Sequence, residues 1–191
     1  MTTDKANPQE PVPCEGGALI WFTGPPGSGK STLALGLRDE IVTTGRKVSV
    51  LDGDIIRNEI SRDLGFSRAD RDEQVRRVGE MARGLVLDGH WVLAALVSPY
   101  REARDRVRKS LAPHPFLEIH CDCPLDILIQ RDPKGMYARA LAGEIQNFTG
   151  IDDPYEPPLA PERRVLTGVE TVSESLSGVQ EALVNAGLLE R

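Results

Sequence analysis

The sequence predicts an α/β fold, a doubly wound and mainly parallel five-stranded sheet flanked by helices, and three observations predict it. Short apolar runs at 18–23, 47–52, 91–97, 116–121 and 164–166 alternate with segments of helical periodicity, which is the pattern of successive βαβ units. The run Trp91-Val92-Leu93-Ala94-Ala95-Leu96-Val97 is apolar without a break, as a strand covered on both faces must be. The stretch Gly24-Pro25-Pro26-Gly27-Ser28-Gly29-Lys30-Ser31 fits G-x-x-x-x-G-K-[S/T] at every fixed position, between a strand and a helix.

Each element has its own signal. Residues 1–17 carry Pro8, Pro11, Pro13 and the Gly16-Gly17 pair and read as a flexible leader. Residues 18–191 read as one domain, without internal repeats or a dividing linker. The first strand, 18–23, runs into the glycine loop and a helix to about residue 43. After the break at Thr44-Gly45-Arg46, the second strand ends in Asp52-Gly53-Asp54. A short helix over 55–63 and a loop around Gly65-Phe66-Ser67 precede a long helix over 70–87, whose Val75, Val78, Met81, Ala82, Leu85 and Val86 share a face. The third strand stops at Ser98-Pro99-Tyr100, a helix covers 101–110, and the fourth strand is 116–121. Pro124 opens a helix to Arg131. From 132 to about 161, proline, glycine and charge are dense and no long periodic segment survives. Because a strand at 164–166 and a helix over 172–189 resume the pattern, this irregular stretch reads as a functional lid.

Composition narrows the function. With 40% hydrophobic and 27% charged residues the chain is ordinary for a soluble globular protein. A net charge of -6 argues against general affinity for nucleic acid, so an anionic ligand has to be met by local basic clusters. No apolar run approaches the ~20 residues that span a bilayer, and residues 1–15 lack the apolar centre of a signal peptide. Three cysteines do not suggest a disulfide framework, and Cys121-Asp122-Cys123 reads as buried thiols at a strand end rather than a zinc site. A cytoplasmic protein without nucleic-acid or membrane partners is expected.

The chemistry gathers at the strands' carboxyl ends. The loop glycines let backbone N–H groups face a phosphate, and the following helix N-terminus adds partial positive charge. In such a P-loop NTPase site Lys30 reaches the β- and γ-phosphates, Ser31 ligates Mg²⁺, and Thr32 follows in the same turn. Asp52 and Asp54 stand where a metal ion and an acceptor hydroxyl would meet, and Asp54 suits a base, a metal ligand or a helix cap. Arg57 and Arg71 are each tied to a motif rather than to helical periodicity, which suits contact with an anionic substrate. Arg76 and Arg77 read partly as a solvated helix face. Arg131 and Lys134 begin the lid, and Lys134 is placed to swing onto a transferred phosphoryl group. Phe66 and Phe148 fall in polar loops, where they either cap local apolar clusters or clamp a planar base.

These residues resemble the adenylyl-sulfate kinases over nearly the whole chain after the leader. The resemblance rests on the glycine loop, Leu51-Asp52-Gly53-Asp54-Ile55-Ile56-Arg57, Leu64-Gly65-Phe66-Ser67-Arg68-Ala69-Asp70-Arg71 and Ser98-Pro99-Tyr100-Arg101. Its most specific part is the lid, with Arg131-Asp132-Pro133-Lys134-Gly135-Met136-Tyr137 and then Asn147-Phe148-Thr149-Gly150-Ile151-Asp152-Asp153-Pro154-Tyr155-Glu156-Pro157-Pro158. It implies transfer of the ATP γ-phosphoryl group to the 3′-hydroxyl of adenosine 5′-phosphosulfate, with Mg²⁺, by a homodimer. It also implies that Phe66 and Phe148 stack on the acceptor adenine, with Thr149 and Gly150 beside them. By the same resemblance Arg57 and Arg71 hold the phosphosulfate, the Val97–Ser98 backbone lines that pocket, and Arg131 packs near the ATP adenine. One departure stands out: the family usually has Asn where this chain has Gln74, which moves the amide one methylene further out. The alternative it leaves is a P-loop kinase of another small nucleotide-linked acceptor.

Overall fold

The computed structural model describes residues 16–190, so most of the expected leader, Cys14 included, lies outside the described residues. Five strands form one sheet: β1 (Ala18–Thr23), β2 (Val48–Asp52), β3 (Trp91–Ala95), β4 (Phe116–Asp122) and β5 (Arg163–Leu166). Their order is β2-β3-β1-β4-β5, and every pair is parallel, so the sheet is wholly rather than mainly parallel. Among the described residues, seven helices connect and cover it: α1 (Lys30–Val42), α2 (Gly53–Glu59), α3 (Arg68–Leu87), α4 (Arg101–Leu111), α5 (Leu125–Arg131), α6 (Met136–Leu141) and α7 (Val172–Asn185).

Strand β1 is central and buried along its whole length, because it is covered on both faces. Side chains alternate across a strand, so Ile20 and Phe22 join one core while Leu19 and Trp21 join the other. The first core takes Leu33, Leu37 and Ile41 of α1 and Val179 and Leu183 of α7. The second takes Val75, Val78 and Ala82 of α3 and Val107 and Leu111 of α4. Each such side chain removed from water contributes about 1.5–3 kcal/mol, which sets the sheet as the rigid frame of the molecule. The chain leaves β1 for the edge strand β2, returns to β3 between the two, and then crosses to β4 and β5 on the other side of β1. The reversal at β1 opens a crevice beyond the carboxyl ends of β1, β3 and β4, where ligands of such sheets bind.

Some element boundaries differ from the sequence expectation. Helix α2 starts at Gly53 because the Asp52 carboxylate caps it, accepting from the Asp54 N–H at 2.9 Å and the Ile55 N–H at 3.4 Å. It ends at Glu59, before the expected 63. Helix α3 begins at Arg68, behind a capping box in which Ser67 and Asp70 satisfy each other's backbone N–H groups. Strand β3 stops at Ala95, and Leu96 and Val97 continue as non-strand chain. Residues 132–161 are less irregular than composition implies. They contain α6, and their Tyr137, Ala140 and Phe148 pack with Cys123 and Leu128 in a separate apolar cluster. A six-residue helix is too short to show periodicity in sequence. Among the described residues, no helix is long and apolar enough to cross a membrane.

Candidate active site

The glycine loop leaves β1 and turns directly into α1. A Cβ on Gly24 would lie 2.5 Å from the Cys121 carbonyl oxygen, so only glycine lets the loop cross β4 this closely. Gly29, at φ 87°, caps α1 in the left-handed region. Lys30 folds back over the loop, its Nζ donating to the Gly24 and Pro25 carbonyls at 2.9 and 2.7 Å. Burial pushes its ammonium down from 10.5 to about 8, against the pull of Cys121, Asp54 and Asp52. Cys121 and Cys123 are both buried free thiols, and burial pushes Cys121 up to about 12, which leaves it unreactive.

The Ser31 hydroxyl donates to Asp52 Oδ2 at 2.5 Å, while Oδ1 of the same carboxylate caps α2. Ser31 therefore meets Asp52, and Asp54, two residues further on in the first turn of α2, is ion-paired with Lys134. Both partners of that pair are exposed. The oxygens of Ser31, Asp52 and Asp54 are hard donors of the kind that Mg²⁺ takes, mostly through water. Sequence reasoning singled out both aspartates. The division of labour between them follows from α2 starting immediately after Asp52, which sequence periodicity did not resolve.

A second group lies around Phe66. The Arg57 guanidinium sits 4.7 Å from the centre of the Phe66 ring and that of Arg71 5.6 Å from it. Arg57 donates to the Leu64 and Gly65 carbonyls at 3.3 and 2.8 Å, and Arg71 donates to the Phe66 carbonyl at 3.1 Å and to that of Asn147. Burial, and then the neighbouring Arg71, lower the Arg57 pKa from its ordinary value. Two cations and one half-exposed ring thus share a corner, and Arg71 joins that corner to the 132–161 segment. Its Nε also lies 3.6 Å from Asp153.

Phe148 is not beside Phe66 in the same way. It is buried in the cluster of the 132–161 segment, edge-on to Tyr137. Asp152 holds its backbone, accepting from the Asn147 N–H at 2.7 Å and the Phe148 N–H at 2.5 Å. Thr149 is buried with an unpartnered hydroxyl, and the Gly150 N–H donates to the Asp153 carbonyl at 2.8 Å. Gln74, on α3, is 5% exposed, and neither end of its amide has a partner. Such a group is costly unless something arrives to pair with it. Asp132 caps α6, accepting from the Tyr137 and Ala138 N–H groups at 3.0 and 2.9 Å. The Tyr137 hydroxyl donates to the Pro26 carbonyl at 2.9 Å, tying this segment to the glycine loop. Sequence reasoning missed that bond, since nothing local marks a tyrosine as reaching 111 residues back.

Ser98 occupies the turn after β3 at φ 39°, which a non-glycine residue rarely adopts. Trp21 Nε1 donates to its hydroxyl at 3.0 Å, and that hydroxyl donates to Thr23 Oγ1 at 2.9 Å. Thr23 Oγ1 also donates to the Val97 carbonyl at 2.9 Å. At the opposite end of the crevice Arg131 donates to the Thr167 carbonyl at 2.6 Å, which places it beside the loop after β5.

A model of the adenylylsulphate kinase family matches residues 16–166. This chain belongs to that family. Among curated relatives, the adenylyl-sulfate kinase of Synechococcus sp. (strain JA-3-3Ab) is 47% identical over 174 residues, which is 91% of this chain and 98% of that one. The adenylyl-sulfate kinase of Myxococcus xanthus is 49% identical over 176 residues, 91% of this chain and 95% of that one. Among solved structures, the Mycobacterium tuberculosis APS kinase CysC in complex with AMPPNP and APS superposes with a TM-score of 0.84 at 43% identity. That match covers 88% of this chain and 98% of the other. The family therefore accounts for both the parallel sheet and the loop at its centre.

Proposed function

We propose that this protein is an adenylyl-sulfate kinase, transferring the ATP γ-phosphoryl group to the 3′-hydroxyl of adenosine 5′-phosphosulfate and releasing ADP and 3′-phosphoadenosine 5′-phosphosulfate. The observation that carries the reading is the junction of two half-sites across one crevice. A phosphate loop with Lys30 and Ser31 lies on one side, and a cationic, ring-bearing corner built from Arg57, Phe66 and Arg71 lies on the other. Relatives named adenylyl-sulfate kinase, matched over 98% and 95% of their length, support it.

In this reading the triphosphate lies on the N–H groups of 24–32, and Lys30 leaves the loop carbonyls for the β- and γ-phosphates. Arg131 and the neighbouring loop after β5 flank the ATP base. Ser31, Asp52 and Asp54 would hold Mg²⁺, which when bound supplies charge neutralisation on the phosphates. The acceptor lies against Phe66, with Arg57 and Arg71 on its phosphosulfate and Gln74, Val97, Ser98, Thr149 and Gly150 lining the pocket. Asp54 takes the proton of the 3′-hydroxyl as it attacks the γ-phosphorus in line. Lys134, released from Asp54, moves onto the transferred group, so that charge on the equatorial oxygens is met as it spreads. Residues 132–161 act as the lid that excludes water. Phe148 contributes to the acceptor site either as a ring that turns out to the base or as the support behind it.

A homodimer, on the family resemblance, and a cytoplasmic location, on the cysteine usage, complete the proposal. Measuring ADP release with ATP, Mg²⁺ and a panel of acceptors tests the activity. Adenosine 5′-phosphosulfate is expected to be preferred by orders of magnitude, and a stronger preference for another nucleotide would transfer the assignment to that acceptor. Light scattering of the purified protein tests the dimer.

A further inference from the structure

Arg104 is the most buried charged side chain that the proposed chemistry leaves unused. It lies on α4 and is 2% exposed, so each of its N–H groups needs a partner. Nε donates to Glu118 Oε1 of β4 at 2.6 Å, an ion pair buried on both sides. Nη1 donates to the Ser98 carbonyl at 2.6 Å, and Nη2 to the Glu156 carbonyl at 2.8 Å. One planar group thus spans the end of β3, the middle of β4 and the return of the 132–161 segment to the sheet.

The residues around it hold the same three parts together. The Glu156 N–H donates to the Pro99 carbonyl at 2.8 Å, and the Glu156 carboxylate accepts from the Arg101 N–H at 3.0 Å. The Tyr155 hydroxyl lies 3.1 Å from Thr23 Oγ1, and its ring stacks on His120 with centroids 5.8 Å apart. Ser98, in its left-handed turn, is therefore fixed through its hydroxyl by β1 and through its carbonyl by α4. A strained backbone persists only where its surroundings over-determine it, and such positions gather at functional sites.

We propose that Arg104 is a positioning residue for the acceptor. By holding the Ser98 and Glu156 carbonyls on one guanidinium, it keeps the Val97–Ser98 backbone in its pocket conformation and registers the returning lid segment against it. The proposal rests on the acceptor-pocket reading of Ser98 given above. A lysine in this place would keep the charge opposite Glu118 but could not present a rigid fork to two carbonyls at once.

Steady-state kinetics of the full-length enzyme with ATP, Mg²⁺ and adenosine 5′-phosphosulfate test it. Wild-type turnover of that acceptor is the control, and its absence would reject the activity itself, and this proposal with it. For Arg104→Lys, the KM for the acceptor is expected to rise about tenfold, a change of about 1.4 kcal/mol, while the KM for ATP stays within about twofold. On a Ser98→Gly background, where the turn needs no support, the same substitution is expected to raise the acceptor KM by less than about threefold. A merely structural role would raise both KM values together and add in full to Ser98→Gly, and either result overturns the proposal. Should Arg104→Lys not be recovered folded, Thr23→Val removes the hydroxyl that bonds both the Val97 carbonyl and the Ser98 side chain. It is expected to give the same selective rise, and an equal change in both KM values, or none, would again overturn the assignment.

Discussion

Phe148 meets Tyr137 edge to face, with ring centroids 4.9 Å apart and planes at 84°. This pair closes the small apolar cluster of the 132–161 segment, which packs apart from the two cores on the sheet faces. Truncating a buried phenyl ring costs about 3–5 kcal/mol in a rigid core, and here that loss falls on the small cluster joining the lid to α5 rather than on the sheet cores. Phe148→Ala is expected to raise the acceptor KM about tenfold or more, with a smaller effect on the KM for ATP. Limited proteolysis is expected to cut first within 132–161. Equal effects on the two substrates would place Phe148 outside acceptor binding.

Lys30 gives the loop a pH dependence with a definite sign. Its folded pKa lies near 8, below its ordinary 10.5, so the free protein loses this proton above about pH 8. The burial penalty on the charged form is present below pH 8 and fades between about 8 and 10.5, so the unliganded fold gains stability over that interval. Triphosphate binding needs the ammonium and restores its proton. Calorimetry of ATP analogue binding at pH 8.5, in buffers of different ionisation heat, is expected to show proton uptake that is much smaller at pH 7. Lys30→Ala is expected to abolish turnover and the uptake together.

Asp54 and Lys134 form an ion pair between two exposed side chains, 72% and 61% accessible, which contributes little to folding. Lys134→Ala is therefore expected to leave the melting temperature within about 2 °C of wild type. Its kcat is expected to fall by about 10²–10³-fold, the usual cost of removing a group that meets charge in the transition state. A parallel loss of melting temperature and kcat would mark the pair as structural.

Gln74 carries an amide with neither end partnered in a buried site. Gln74→Leu fills the same space without that penalty, so the free protein is expected to gain about 1–2 kcal/mol in chemical denaturation. The same change is expected to raise the acceptor KM, since it removes a donor and an acceptor from the pocket. A variant that loses both stability and acceptor binding would show that Gln74 serves the packing of α3 instead.

Much of this was legible in the sequence because it rests on local rules. The glycine loop, the continuous apolar run of β3 and the face of α3 are each dictated by spacing within a few residues, and each is where spacing places it. Boundaries moved where a side-chain cap decided them, as Asp52 does for α2 and Ser67 with Asp70 for α3. The 132–161 segment was the hardest to read. Its order comes from single aspartates that hold backbone N–H groups, Asp132 for α6 and Asp152 for the turn at Phe148, and such devices leave no periodicity. Long-range partners were invisible for another reason. That Arg104 would gather carbonyls from residues 98 and 156 depends on the sheet already having brought them together.

The bond from the Tyr137 hydroxyl to the Pro26 carbonyl ties α6 directly to the glycine loop. On the proposed reading, a displacement of Pro26 as a nucleotide enters would be felt at α6 and, through Tyr137, at the Phe148 ring. Thermodynamic reciprocity then requires that whatever factor ADP imposes on the grip for the sulfonucleotide, the sulfonucleotide imposes on the grip for ADP.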